Sequence, residues 1–195
     1  GGPLSIVNID FIREVSFSAG AFGAKYGDKV SSITNISLRN GNENQFGGKA
    51  TLSATGFGLN LEGPTNDNGS FLFSARRSYL DLIFEAAGFA FIPEYWDFHA
   101  KFNQRLNSSN TLSFLTIGAI GSVKLNNDNE ENRFDNSRVA VPTQKQYFSG
   151  LTWKHLFEKG FTTVTLGQTL TDYSTFQNDI NLNKILQNDS REAET

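Results

Sequence analysis

An all-β, mainly antiparallel fold is what this sequence predicts, on three observations. From Phe46 onward apolar and polar residues alternate with period two in one segment after another, as in strands that bury or expose one apolar face. Clusters of Gly, Pro, Asn, Asp and Ser separate the segments, notably G-P-T-N-D-N-G at 63–69, N-S-S-N at 107–110 and E-K-G at 158–160. Those residue types supply the backbone angles and local hydrogen bonds that turns require. There is also no apolar run of 18 residues, so no transmembrane helix is encoded. The mean hydropathy of −0.35 does not speak against a membrane β-barrel, because alternation averages the apolar face away.

Composition narrows the function. A net charge of −3 over 195 residues lacks the basic excess of a nucleic-acid binder, so no nucleic-acid partner is expected. The absence of cysteine removes disulfides, thiolate metal sites and a thiol nucleophile. No signal peptide is present, and the chain opens on Gly1 and ends in polar D-S-R-E-A-E-T. Both ends read as cut, so a piece of a longer protein is expected.

Taken in order, Asn8 or Asp10 is placed to cap one helical turn, with Glu14 near its start. Val15 and Phe17 begin a strand, Gly20, Gly23 and Gly27 break the loop after it, and residues 33–39 return as a second strand. Residues 40–44 (N-G-N-E-N) form a polar linker. Seven longer strands follow. Ala50, Leu52 and Ala54 alternate with Lys49, Thr51 and Ser53, and Thr55-Gly56 turns the chain. Phe57, Leu59 and Leu61 alternate with Gly58, Asn60 and Glu62, and Phe71, Phe73 and Ala75 with Leu72, Ser74 and Arg76. Residues 80–95 read as an aromatic insert with a short helix over 80–87. The clearest strand then sets Trp96, Phe98, Ala100 and Phe102 against Asp97, His99, Lys101, Asn103 and Arg105. The segment 111–121 slips phase between Phe114 and Leu115, which predicts a bulge. A polar loop over 124–145 and strands over 147–157 and 161–176 complete the chain.

The first forty residues carry a resemblance. The order I-D-F-I-R-E-V-S-F at 9–17, the Gly-rich G-A-F-G-A-K-Y-G at 20–27 and S-S-I-T-N-I-S-L-R at 31–39 resembles the C-terminal half of the plug of TonB-dependent outer-membrane receptors. The lead-in G-G-P-L-S-I-V-N at 1–8 is similar to that of a Bacteroidetes-like branch of the family. Ala19 stands where that family often has Arg, and Ser31-Ser32 where it usually has Gly. The resemblance implies a fragment of a plugged 22-stranded transmembrane β-barrel, a small mixed plug portion at 1–44 and the first seven barrel strands at 45–195. It further implies energised uptake of a scarce ligand (siderophore, cobalamin, oligosaccharide or similar). The TonB complex would act through a segment not in this chain.

Strand lengths of about 10–12 residues, short turns alternating with long loops, and aromatics near strand ends fit an outer-membrane barrel as well. Lipid and lipopolysaccharide would then cover the apolar faces. Arg76, Asp97, His99, Lys101, Asn103 and Arg105, with Lys49, Asn60 and Glu62, would face the lumen, since so many charges are costly in a dry core. The resemblance implies contacts between plug arginines Arg13 and Arg39 and the barrel carboxylate Glu62. Phe89, Phe91, Tyr95 and Trp96 form a candidate extracellular, ligand-contacting loop. His99 and His155 lack metal-ligand spacing, and no nucleophile or phosphate-loop motif is present, so neither catalysis, metal nor cofactor is expected. The alternative is a soluble or surface β-sandwich binding module, whose apolar faces would point inward. A passive barrel would have no use for residues 9–39.

Overall fold

The computed structural model describes residues 6–20, 23, 26–27, 31–53 and 56–195. Residues 1–5 of the lead-in, much of the Gly-rich loop and the turn expected at Thr55 lie outside the described residues. The chain is mostly antiparallel β-structure. A 3-10 turn at Ile9–Phe11 leads into β1 (Ile12–Ser18), which pairs with β2 (Ile33–Leu38) in a two-stranded sheet. Glu14 therefore lies inside β1, beyond the turn, rather than near its start.

The second sheet has eight strands in strict sequence order: β3 (Gly47–Ser53), β4 (Gly56–Asn66), β5 (Gly69–Ser78), β6 (Phe91–Arg105), β7 (Asn110–Leu125), β8 (Val141–Phe157), β9 (Gly160–Asn178) and β10 (Lys184–Glu194). It is an open antiparallel meander with β3 and β10 at its edges, and it does not close into a barrel. Helix α1 (Leu80–Ala86) bridges β5 and β6, and α2 (Glu130–Ser137) bridges β7 and β8. The longer connections share one end of the sheet. The tight turns at 67–68, 106–109 and 158–159 share the other.

Several sequence expectations are corrected. The sheet has eight strands, not seven. β10 (K-I-L-Q-N-D-S-R-E-A-E) is exposed along its whole length, so it shows no apolar alternation, and pairing with β9 alone orders it. The central strands run 15 to 19 residues, longer than the apolar stripe, because hairpin pairing carries polar residues outward past it. β4 continues through Gly63 and Pro64. Pro64 lies past the last residue paired with β3 and beside an irregularity in the β4–β5 register, where a missing N–H breaks no ladder bond. No bulge separates Phe114 from Leu115, since the β6–β7 register is unbroken. Both faces of β7 carry apolar residues there: Phe114 lies beside Phe102 at 6.4 Å, while Leu115 and Ile117 share the opposite face with Lys101 and His99.

The two faces of the sheet differ in a way that inverts a soluble core. The face bearing Leu52, Phe57, Phe73, Trp96, Phe98, Phe102, Leu151, Trp153 and Leu166 is uncovered. Leu52 is 77 %, Phe102 46 % and Leu166 70 % exposed. The opposite face of β3–β6 carries the charges, and the N-terminal segment covers it: Asp97 is 2 % and His99 1 % exposed.

Candidate functional site

The site is the dock between residues 6–11 and 38–43 and the polar face of β3–β6. Its geometry begins with one turn. Asn8 caps the 3-10 turn, its Oδ1 accepting from the Asp10 N–H at 3.0 Å and its carbonyl from the Phe11 N–H at 3.1 Å. That turn aims the Asn8 amide, the Asp10 carboxylate and the Phe11 ring at the sheet.

The receiving surface is ordered in cross-strand rows, because period two places every second residue of paired strands side by side. One row is Lys49, Asn60, Ser74 and His99, on β3 to β6. Asn8 Nδ2 donates to Asn60 Oδ1 at 2.8 Å and to Ser74 Oγ at 2.7 Å. The Asp10 carboxylate accepts from Lys49 Nζ at 2.9 and 3.0 Å and from Asn60 Nδ2 at 2.6 Å. His99 Nε2 meets the Ile6 carbonyl, and the fully buried Phe11 ring lies edge-on to the imidazole at 6.2 Å.

The next row toward the tight-turn end is Gly47, Glu62, Leu72 and Lys101. Glu62 takes both arms of the Arg39 guanidinium, at 2.6 and 3.0 Å, and the Asn42 N–H at 3.0 Å. Arg39 Nε donates to the Asp10 carbonyl at 3.0 Å, and its guanidinium stacks on Phe11 at 5.7 Å. Lys101 Nζ donates to the carbonyls of Leu38 and Arg39 at 2.8 and 3.1 Å. Farther along, Arg105 reaches Glu43 at 3.3 Å. Most buried polar groups in this dock are therefore matched pair by pair, the condition under which burial is tolerated. Two buried atoms lack a hydrogen bond there, Ser70 Oγ and His99 Nδ1.

The row on the other side is Thr51, Gly58, Arg76 and Asp97, with Asp97 buried at its β6 end. Arg76 Nε donates to Asp97 at 2.8 Å. A cavity of about 230 Å³ opens above this row, bounded also by Asn8, Asp10, Lys49, Asn60, Ser78 and Tyr95.

Of the residues singled out from sequence, Arg39 and Glu62 meet directly. Arg76, Asp97, His99, Lys101 and Asn103 share the covered face, and Arg105 lies at its rim. Asn103 accepts from Ser113 Oγ at 2.7 Å. Arg13 is exposed on β1 and has no ion-pair partner among the described residues, so it does not join Arg39 at Glu62. Arg13 falls at a register irregularity of β1, between Ile12, which pairs with Leu38, and Glu14, which pairs with Ser37, whereas Arg39 hydrogen-bonds across to Phe11 and leads straight into the linker over β4.

The aromatic insert is also corrected. Only Phe89 lies in a connection, with its ring 4.9 Å from Phe84 of α1. Phe91, Tyr95 and Trp96 belong to β6, because β7 extends to Leu125 and supplies their partners Leu125, Gly121 and Ile120. Trp96 points to the uncovered face, with the Arg77 guanidinium over its ring at 5.4 Å, whereas Tyr95 lines the cavity.

Sequence reasoning took Asn8 and Asp10 only as caps and passed over Ser74 and Asn42. A polar residue next to a cap carries a signal when it has more hydrogen-bonding capacity than the cap consumes. Asn8, with a free NH₂ after capping, is such a case. Among the described residues no cluster of His, Asp and Glu is arranged to hold a metal ion. No described helix is long and apolar enough to cross a membrane, which says nothing of β-strands. Compared with protein-family models, curated proteins and solved structures, the chain matches none.

Proposed function

We propose that this chain is part of a TonB-dependent outer-membrane receptor, with residues 1–44 contributing to the plug and the eight-stranded sheet to the barrel wall. One observation carries the reading: the sheet exposes its apolar face and covers its charged one. In a soluble β-sandwich the covered face is the apolar one, whereas in a membrane barrel lipid takes the apolar face and the lumen the polar. The plug-like motif supports it, since its two ends, at Asp10–Phe11 and Leu38–Arg39, dock on the polar face.

On this reading further strands pair with β3 and β10 to close the wall. Ligand binds at the long-connection end. The TonB complex acts on a segment outside this chain, and the energy so delivered breaks the hydrogen bonds of the dock. Those bonds suit repeated opening: they are polar, individually worth about 0.5–1.5 kcal/mol, and readily re-formed. No covalent step is required.

The test uses the protein as the source cells make it. An antibody to this chain is used to blot fractionated cells. A heat-modifiable band in the outer-membrane fraction, several times heavier than this chain, is expected. A soluble band at the mass of the chain alone would overturn the proposal in favour of a soluble binding module.

A further inference from the structure

Helix α1 is inverted for a helix in water. Helical periodicity places Leu82, Ile83 and Ala86 on one side and Leu80, Asp81 and Phe84 on the other. At the surface of a soluble protein the apolar side packs inward and the carboxylate meets water. Here Leu82 is 56 % and Ile83 45 % exposed, whereas Asp81 is only 6 % exposed. Ala86 is exposed as well, and so is Phe89 just past the helix. Single exposed apolar residues are ordinary, but here the outward side of a helix is apolar while its carboxylate is turned under.

Contacts with the sheet fix this roll and locate the helix. Arg77 Nη2 donates to Asp81 Oδ2 at 2.6 Å, and the same guanidinium lies over the Trp96 ring on the uncovered face at 5.4 Å. Lys124 Nζ donates to Glu85 at 3.4 Å. Alternation puts Lys124 and its partner Ile92 on the face of Trp96, and Ile92 is fully buried there. Asp81 Oδ1 is buried without a hydrogen bond, which costs free energy; the roll so held keeps Leu82 and Ile83 outward. The row at Arg77 also marks a level. It runs Arg77, Trp96, Ile120, Lys145, Asp172 and Arg191 from β5 to β10. The next row toward the tight turns, Ala75, Phe98, Gly118, Tyr147, Leu170 and Ala193, carries no charge. Charge therefore enters this face where α1 is fastened, with a Trp among the cations, the arrangement of a membrane–water boundary.

We infer that α1 lies in the headgroup–acyl boundary of the lipid leaflet at the long-connection end, with Leu82, Ile83 and Ala86 turned to the acyl chains. The inference deepens the proposed receptor reading and rests on it: the uncovered face is read there as the lipid face, and α1 continues it past the charged row. Lipid is the occupant for two reasons. The two charged groups of the helix, Asp81 and Glu85, are engaged by the sheet, so an apolar side is left, as in helices that lie along a membrane surface. Three side chains also fall far short of the roughly 20–30 residues a side of a stable protein interface, whereas a leaflet needs no minimum patch. The first long connection then braces the wall against the leaflet.

Nitroxide labels test the contact. Cysteine is introduced as Ile83→Cys on α1, Asp135→Cys on α2 and Leu166→Cys on the uncovered sheet face. All three native side chains are exposed, so a label there displaces no packing. Each variant is made in the source cells as the whole protein, purified and reconstituted into phosphatidylcholine vesicles, with the parent protein carried through the same labelling as the blank. Relaxation by oxygen, which concentrates in lipid, is compared with relaxation by a water-soluble nickel chelate. Oxygen is expected to dominate at Ile83 and Leu166, and nickel at Asp135. Nickel dominating at Ile83 while oxygen dominates at Leu166 overturns the inference and leaves the receptor reading standing. An Ile83 label that neither reagent reaches shows a protein partner over the helix and overturns it too. Nickel dominating at Leu166 removes the receptor reading on which the inference rests.

Discussion

Replacing Glu62 with Gln tests how the N-terminal segment is held. The substitution keeps the shape of the side chain and one acceptor but removes the charge. In the native protein Glu62 accepts two guanidinium bonds from Arg39, at 2.6 and 3.0 Å, and the Asn42 N–H at 3.0 Å. Both side chains are about a third exposed, so solvent screens the pair, and an ordinary exposed pair is worth at most about 1 kcal/mol. The bidentate geometry and the additional amide raise this. The expected loss is therefore about 1–2 kcal/mol, a roughly 5–30-fold larger population of the released segment. Hydrogen exchange at the Arg39 amide, bonded to the Phe11 carbonyl at 2.8 Å, reads that population directly. Exchange should accelerate by that factor, and the effect should shrink in high salt. A double-mutant cycle with Arg39→Met assigns it to the pair. Unchanged exchange in Glu62→Gln, or a coupling energy near zero, would refute the view that this pair fastens the segment.

Two further perturbations probe other parts of the chain. A Cβ on Gly41 would lie 2.0 Å from the Phe71 carbonyl oxygen, a contact only backbone movement can relieve, so Gly41→Ala should lift the linker from β5 and speed exchange at Asn42, measurable on the same samples. In the β9–β10 connection, Asp179 is held below the ordinary carboxylate range, first by the Asn183 side chain and then by the N–H groups of Asn183 and Asn181. A carboxylate whose pKa is depressed in the folded state adds stability above its unfolded value and loses it as pH falls through the folded one. Acidification below the usual carboxylate range should therefore fray this hairpin, seen as faster exchange at the Asn181 and Asn183 amides. Asp179→Asn should exchange faster than wild type above the carboxylate range, and the difference should shrink on acidification as wild type loses the same bonds; an unaltered acid response in that variant would refute the assignment.

How much of this was legible beforehand depended on which physical signal each element carries. The strands from β3 to β9 announced themselves by period two, visible in any single sequence, except around Leu115 and Ile117 of β7, where both faces are apolar and the pattern slips. β10 did not, for it is polar on both sides and owes its order to its neighbour. Strand ends were misjudged for the same reason: Phe91 and Tyr95 look like an irregular insert around Pro93 until β7 is seen to pair with both of them. The polarity of the Asp97–Arg105 face could be read off directly, as could the pairing of Arg39 with Glu62 once the plug resemblance was granted. The exclusion of Arg13 could not.

The sequence by itself determined most strand faces, the turns and a capping residue at Asn8 or Asp10, because these depend on neighbours within a few positions; the structure chose Asn8. Tertiary structure alone decided which rows meet the N-terminal turn, that Asn8 spends its amide on Asn60 and Ser74, and that two glycines of β4 leave a cavity instead of a flat wall. Those outcomes rest on register between strands and on contacts spanning 50 residues or more. Such contacts are set by the joint packing of segments that share no local signal.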